Sequence, residues 1–405
     1  QETIDALRER LNTPDEVSGE LHPDRAKLEL ELKTAEDILK EQDSLSEPII
    51  VHNSIIRNDV SRGFGGLNAW QPLGVTAAAQ EDIIIYVGHS TKSTGDNTSL
   101  QLVATQFNAE ASAMSSVVAN LKVGRNEVTI PKIWTLGFES GGALYVQCAK
   151  GETGRYSIRV NGGVQVPVLD LYQVSGDAER LEKTTAYVEK LGEYVSKMEE
   201  THKSAHQGEF SSKLVNMAYD RETCILEAAD ILSDTMMLSL PAAAIWEGSG
   251  RNGTSVEARA RTILNSVDAM EEMMYLFYQH KGLNSSAANE IDRIPAGHQN
   301  IRCQRMFSGA FMYASGNHIG IGWGSTAGMV TGVPVTAGAN GKWQSGSYFG
   351  WGIAHEIGHC INQNTYSVAE ITNNYFSVLA QARDTNDSVR FKYDEVYKKV
   401  TSGAK

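Results

Sequence analysis

Hydrophobic and polar positions divide the chain into regions of different period. Over residues 1–46, Leu28, Leu32, Ala35 and Leu39 recur at helical spacing with charges between them, and Pro14 and Pro23 break the region into pieces. From residue 48 to 175 short apolar runs alternate with turn residues: "PIIVHNSII", "DIIIYVGHS", "SLQLVATQF", "NEVTIPKI", "GGALYVQCA", "RYSIRVN" and "VPVLDLYQV". Strands at this spacing predict a β-sandwich. Beyond 176 the pattern turns helical. Leu181, Tyr187, Leu191 and Tyr194 form one stripe; Ile263, Val267, Met270, Met274 and Phe277 form another, with Gly282 as the expected C-cap. Residues 295–350 are too rich in glycine for a long helix and predict one or two strands joined by loops. The expected fold is multidomain α+β: an N-terminal helical segment (1–47), a β-sandwich domain (48–175) and a mostly α-helical domain (176–405).

Composition narrows the function classes. With 405 residues, 41% hydrophobic and 21% charged, the chain is long enough for two or three cores. A net charge of -13 disfavours nucleic acid and anionic membranes as partners. Cys148, Cys224, Cys303 and Cys360 are far apart, so neither a zinc knuckle nor a redox pair is suggested, and no disulfide is assigned. No apolar run reaches the roughly 18 residues that a membrane span needs; "MMLSLPAAAIW" at 236–246 is short and holds Pro241. The sequence starts at Gln1, and a removed N-terminal segment, an export signal or a trimmed stretch, is expected. Oligomeric state is not legible.

The chemistry concentrates in "FGWGIAHEIGHCINQNTYSVAEITNN", residues 349–374. On a helix, His355 and His359 lie one turn apart on the same face and can hold one metal ion. Glu356 borders that site without pointing along the histidine stripe, which suits a proton acceptor for metal-activated water. Zinc in a catalytic site takes three protein ligands and keeps one position open. Glu370 is the candidate third ligand. Its competing role is local: "SVAE" reads as a capping box, with Ser367 as N-cap and Glu370 at N3 of a helix over 367–383. Asn374, one turn later, is placed to hydrogen-bond the outer nitrogen of a ligating histidine. Gly352 and Gly358 each cost about 1 kcal/mol against alanine within a helix, which points to a close approach of another segment. Ile353, Ile357 and Ile361 are expected to bury the opposite face. His52 and His89, and the pair His202 and His206, lack acidic neighbours in a catalytic pattern and read as ordinary histidines.

"WGIAHEIGHCINQ" followed by "EITNNYFS" resembles the M60-like, enhancin-like zinc metallopeptidases of gluzincin type. "WQPLGVTAAAQEDIIIYV" and "GGALYVQ" resemble the sandwich that precedes their core, and "MFSGAFMYASGNHIGIGWG" resembles the strand leading to their active site. The resemblance implies a zincin-like catalytic domain with zinc (Zn2+) as cofactor, His355, His359 and Glu370 as ligands, and Glu356 as general base and acid. It also implies a secreted or cell-surface enzyme whose partner is a glycoprotein substrate of mucin type. Only 35 residues follow Glu370 (405 minus 370), whereas a helical subdomain often follows the third ligand in such enzymes; the expectation is either a short protein or a larger one of which part is missing here.

The expected reaction is zinc-dependent hydrolysis of a peptide bond, in which the ion polarises the carbonyl and acidifies water while Glu356 moves the proton. An oxyanion donor is also required; Tyr313, His318, Tyr366 and Tyr393 are candidates, and the residue remains unassigned. The glycine-rich strand within 311–330 offers an edge for an extended substrate. The alternative is a mucin- or glycan-binding adhesion protein with a zincin-like core, against which the intact Glu356 speaks. A metal-dependent hydrolase of a non-peptide bond is a third reading.

Overall fold

The computed structural model describes residues 1–52, 64, 66–105, 114–133, 142–149, 155–205, 228–304, 312–332, 351–362, 367–383 and 392–403. These fall into two compact units. The first holds residues 1–56, 70–106 and 113–166; the second holds 57–69, 107–112 and 167–405. The division differs from the expected boundaries in two respects. The N-terminal helices, α1 (Glu2–Asn12) and α2 (Arg25–Lys40), belong to the unit that holds the sandwich. The last strand expected in the sandwich belongs to the other unit.

The sandwich consists of two antiparallel sheets. One has the order β1 (Ile49–Ile50), β8 (Tyr156–Asn161), β3 (Asp82–His89), β6 (Gly124–Thr129); the other has β5 (Ser115–Lys122), β4 (Asn97–Thr105), β7 (Gly142–Cys148), β2 (Gln71–Ala77), β9 (Val164–Gln165). Strand β8 alternates buried and half-buried positions residue by residue, as a strand with one covered face must. Ile83, Ile85, Leu100, Leu102, Leu144, Val146, Ile158 and Val160 from the two sheets share one core. His52 donates its backbone N–H to Gln71 within this unit, and His89 caps a turn by accepting from the Thr91 and Lys92 N–H groups.

The second unit is built on a mixed six-stranded sheet in the order β10 (Val168–Asp170), β11 (Ala228–Leu232), β12 (Met236–Pro241), β13 (Gln299–Cys303), β15 (His318–Ile321), β14 (Met312–Ser315). The expectation of a mostly helical domain is corrected by this sheet. Strand β12, "MMLSLP", is buried at every position, so its sequence is a continuous apolar run without the period that marks a half-exposed strand. Strand β10 pairs in parallel with β11, nearly sixty residues onward, a pairing that no local pattern announces.

Helices α3 (Asp177–Ala205), α4 (Ala242–Ser249) and α5 (Val256–His280) join the sheet in one core. The α5 stripe Ile263, Val267, Met270, Met274 and Phe277 is buried, and Gly282 follows the helix with φ +76°, the left-handed conformation expected of its C-terminal signal. Three of the four cysteines, Cys148, Cys303 and Cys360, are buried; Cys224 lies outside the described residues.

One face of this sheet, with Ile231, Leu238, Ile301, Ile319 and Ile321, enters the core. The residues between them, Ser239, Asn300, Arg302 and His318, face the other way and are also buried. His318 is held neutral, its pKa driven from the ordinary 6.5 down to about 3 by burial and by the Arg302 charge. Below pH 6.5 the unfolded chain therefore binds a proton that the folded chain refuses. Its contribution is complete above pH 6.5 and is lost as pH falls toward 3, at about 1.4 kcal/mol per pH unit. His318→Gln is expected to flatten the fall of Tm between pH 7 and pH 4.5, measured by thermal denaturation; an unchanged slope would contradict this.

Candidate metal centre

Helix α6 (Trp351–Ile361) carries the histidines. Ile353, Ile357 and Ile361 are fully buried and seat it in the core, as the apolar period requires. The same period brings His355 and His359 onto one face, their ring centroids 4.9 Å apart and nearly perpendicular. Nitrogen and oxygen atoms of His355, Glu356 and His359 lie within 4.8 Å of one another. At the C-terminal end, Lys281 Nζ donates to the Ile361 carbonyl at 2.7 Å, supplying a partner for an end-of-helix acceptor. Burial lowers the pKa of Lys281. Lys281 follows α5 directly, and the sequence pattern did not single it out.

The expected helix over 367–383 starts later. Helix α7 spans Asn374–Arg383, and residues 369–373 form a turn. Glu370 has φ +62°, so it cannot be the N3 residue of a capping box, which needs right-handed helical backbone. The left-handed conformation costs a non-glycine residue roughly 1–2 kcal/mol. It aims the carboxylate at both histidines: Oε2 lies 3.0 Å from His355 Nε2 and Oε1 lies 3.1 Å from His359 Nε2. The Glu370 side chain is 71% exposed, against 16% and 26% for the two imidazoles, so the acid reaches the site from solvent.

Asn374 ties this turn to the helix. Its Oδ1 accepts from His355 Nδ1 at 2.6 Å, and its Nδ2 donates to the Glu370 carbonyl at 2.7 Å. An amide oxygen is an acceptor only, and the Oδ1 contact is much shorter than the 3.2 Å approach of the Asn373 Nδ2 donor to the same nitrogen, so His355 Nδ1 carries the proton and Nε2 keeps a bare lone pair. Asn373 Nδ2, a donor only, lies 2.9 Å from His359 Nε2, which assigns that nitrogen a lone pair as well. Burial holds the pKa of His359 below its ordinary value, which keeps the ring neutral.

The Nε2 atoms of both histidines thus face two carboxylate oxygens at about 3 Å, contacts of acceptors with acceptors that a cation between them would relieve. Tetrahedral zinc, with bonds near 2.0–2.1 Å to nitrogen and oxygen, spaces its donors about 3.3 Å apart. The donor set therefore fits a zinc ion in both chemistry and span.

Glu356 is turned toward β14, the edge strand, where the Ala314 N–H donates to its carboxylate. Burial raises its pKa and nearby Glu370 adds to this, while His355 and the Ala314 N–H act the other way. A raised carboxylate pKa is what a base working near neutral pH needs.

The oxyanion candidates separate. Tyr313 pairs with Gly320, and its hydroxyl meets His318 Nε2 at 3.0 Å, on the sheet face opposite the core that receives α6. Neither Tyr313 nor His318 is directed at the histidines of α6. Tyr366, the Tyr393 side chain, His206 and the His202 side chain lie outside the described residues.

The close approach anticipated at glycine exists at Gly358. A Cβ there would lie 2.7 Å from the Asn373 carbonyl oxygen, 2.8 Å from its Cβ and 3.0 Å from its Cα. Alanine gains about 1 kcal/mol in helix propensity, but overpacking against backbone costs about 1–3 kcal/mol and pushes the Glu370–Asn374 turn outward. Gly358→Ala is expected to lower both Tm and zinc affinity. Unchanged zinc affinity would show that the turn does not depend on this contact.

The sequence profile of the family described as peptidase M60, enhancin and enhancin-like, matches residues 257–404. No curated protein sequence matches the chain. Among solved structures, the fold is similar to the ZmpB metallopeptidase from Clostridium perfringens, with TM-score 0.59 and 19% identity over 83% of this chain and 58% of that one. It is also similar to the M60 catalytic domain of ZmpC from the same organism, solved in complex with the sialyl T antigen, with TM-score 0.58 and 19% identity over 83% and 57%. A metallopeptidase in complex with Tn antigen matches at TM-score 0.51 and 17% identity, over 85% and 52%. The chain thus spans little more than half the length of these solved chains. Residues 257–404, which carry the paired histidines, Glu356 and Glu370, match the family of M60, enhancin-like peptidases, and the fold is similar to that of solved M60 metallopeptidases.

Proposed function

We propose that the chain is a zinc-dependent endopeptidase that cleaves glycoproteins of mucin type, with His355, His359 and Glu370 holding the ion and Glu356 as general base. The observation that carries this reading is the convergence of two imidazole lone pairs and the Glu370 carboxylate beside a partly desolvated Glu356. When bound there, zinc would supply Lewis acidity, polarising a carbonyl and acidifying water. Glu356 accepts the proton of the attacking water and returns it to the departing amine. Asn374 fixes the tautomer and orientation of His355.

Strand β14 borders the site and pairs, among the described residues, only with β15. An extended peptide can add to this open edge, which would bring its backbone past Glu356. Two of the similar solved structures are complexes with the sialyl T antigen and with Tn antigen, which supports a glycosylated substrate. A substrate of this kind is met outside cells, so secretion or surface display belongs to the same proposal. No helix among the described residues is long and apolar enough to cross a membrane.

Mass spectrometry of products from a panel of glycoproteins, each offered intact and after enzymatic removal of O-glycans, tests the substrate class. Cleavage beside glycosylated serine or threonine that disappears on deglycosylation is expected. Equal cleavage of the bare polypeptides would contradict the glycan requirement.

A further inference from the structure

Asn373 occupies an unusual position. Its residue is 1% exposed, its backbone is pressed against Gly358 of α6, and its side-chain amide sits between the two histidines. Nδ2 lies 2.9 Å from His359 Nε2, while at His355 it stands 3.1 Å from Nε2 and 3.2 Å from Nδ1, nearly equidistant from the two ring nitrogens and so off the lone-pair axis of either. The other end of the amide, Oδ1, is buried with no hydrogen-bond donor. A buried carbonyl left in that state costs about 1–3 kcal/mol. The donor end of the amide therefore serves the His359 lone pair that a metal ion would take, while its acceptor end is unserved.

The two uses of that lone pair exclude each other. His359 Nε2 has one lone pair, so the ion and the Asn373 N–H cannot both occupy it. Loading the site must displace the Nδ2 donor. A half-turn of the planar amide exchanges its two ends and brings the oxygen to the place that Nδ2 now holds, beside both Nε2 atoms. There the oxygen faces a cation rather than a second set of acceptors.

We infer that Asn373 is a further oxygen donor to the metal ion, its amide turning from histidine partner in the metal-free protein to carbonyl donor in the loaded one. This inference rests on the metal site proposed above. Asn373 approaches from the turn before α7, whereas Glu356 is held on the β14 side by Ala314, so a donor from Asn373 would leave the position beside Glu356 open to water.

The test is the affinity of the metal-stripped full chain for Zn2+, measured by competition with a chromophoric chelator, together with the visible spectrum after loading with Co2+. Asn373→Asp keeps an oxygen but has no N–H to donate; Asn373→Leu has neither. Asn373→Leu is expected to lose more than the roughly 100-fold in Zn2+ affinity that marks the loss of an indirect partner, and to shift the Co2+ spectrum. Asn373→Asp is expected to bind at least as tightly as the parent. If both variants lose affinity alike, the amide acts through its donor end and the inference is overturned. It is also overturned if Asn373→Leu, shown folded by its Tm and circular dichroism, binds as the parent does. A parent chain that binds no Zn2+, or binds it equally after Glu370→Ala, would instead overturn the metal site itself.

Discussion

Replacing Glu356 by glutamine is expected to suppress cleavage of an O-glycosylated substrate by at least about 100-fold, and up to about 10,000-fold, with bound zinc unchanged. The reasoning separates position from proton affinity. Glutamine keeps the size of the side chain and an oxygen that can accept from the Ala314 N–H, so the seat of α6 against β14 survives. The variant has no group that takes a proton from water. Since Glu356 is outside the proposed ligand set, metal content should stay at one equivalent. Residual cleavage within a few fold of the parent would remove Glu356 from its assigned role. Loss of zinc in the same variant would place it among the ligands instead. Both readouts come from one preparation, by product analysis and elemental analysis.

The second large effect concerns Glu370, where fold and site pull in opposite directions. Its left-handed backbone and its approach to two lone-pair nitrogens both oppose the metal-free fold. Such cost is stored where a function needs it. Glu370→Gly removes the conformational penalty and the acceptor contacts together. The metal-free variant is expected to match or exceed the parent in stability, by about 1 kcal/mol. Its zinc affinity should fall by more than the roughly 100-fold that marks the loss of an indirect partner. Tm of the stripped proteins and a chelator competition check both statements. A destabilised glycine variant with unchanged zinc affinity would mean that Glu370 serves the turn and not the ion.

Much of this was legible in the sequence for identifiable reasons. The alternation in "YSIRVN" and the α5 stripe ending at Gly282 are local patterns, and the structure reproduces them. "HEIGH" with isoleucines at 353, 357 and 361 specifies which face of α6 is buried and hence where both histidines point. Other features depend on partners distant in the chain. "MMLSLP" lacks a period because both of its faces are covered. "SVAE" is a good capping box by composition, yet contact with α6 places Glu370 outside the helix that the pattern predicts. Lys281 and Asn373 carry no local signal at all; only the folded chain sets one at the end of α6 and the other between its histidines.

The arrangement of His355, His359 and Glu370 around one ion is the centre of the account. Anomalous diffraction recorded on either side of the zinc absorption edge, from crystals of the Glu356→Gln protein, locates that ion directly. The account predicts one zinc peak within bonding distance of His355 Nε2, His359 Nε2 and a Glu370 oxygen. A peak held by a different set of side chains, or no peak in protein shown to be folded and supplied with zinc, would contradict it.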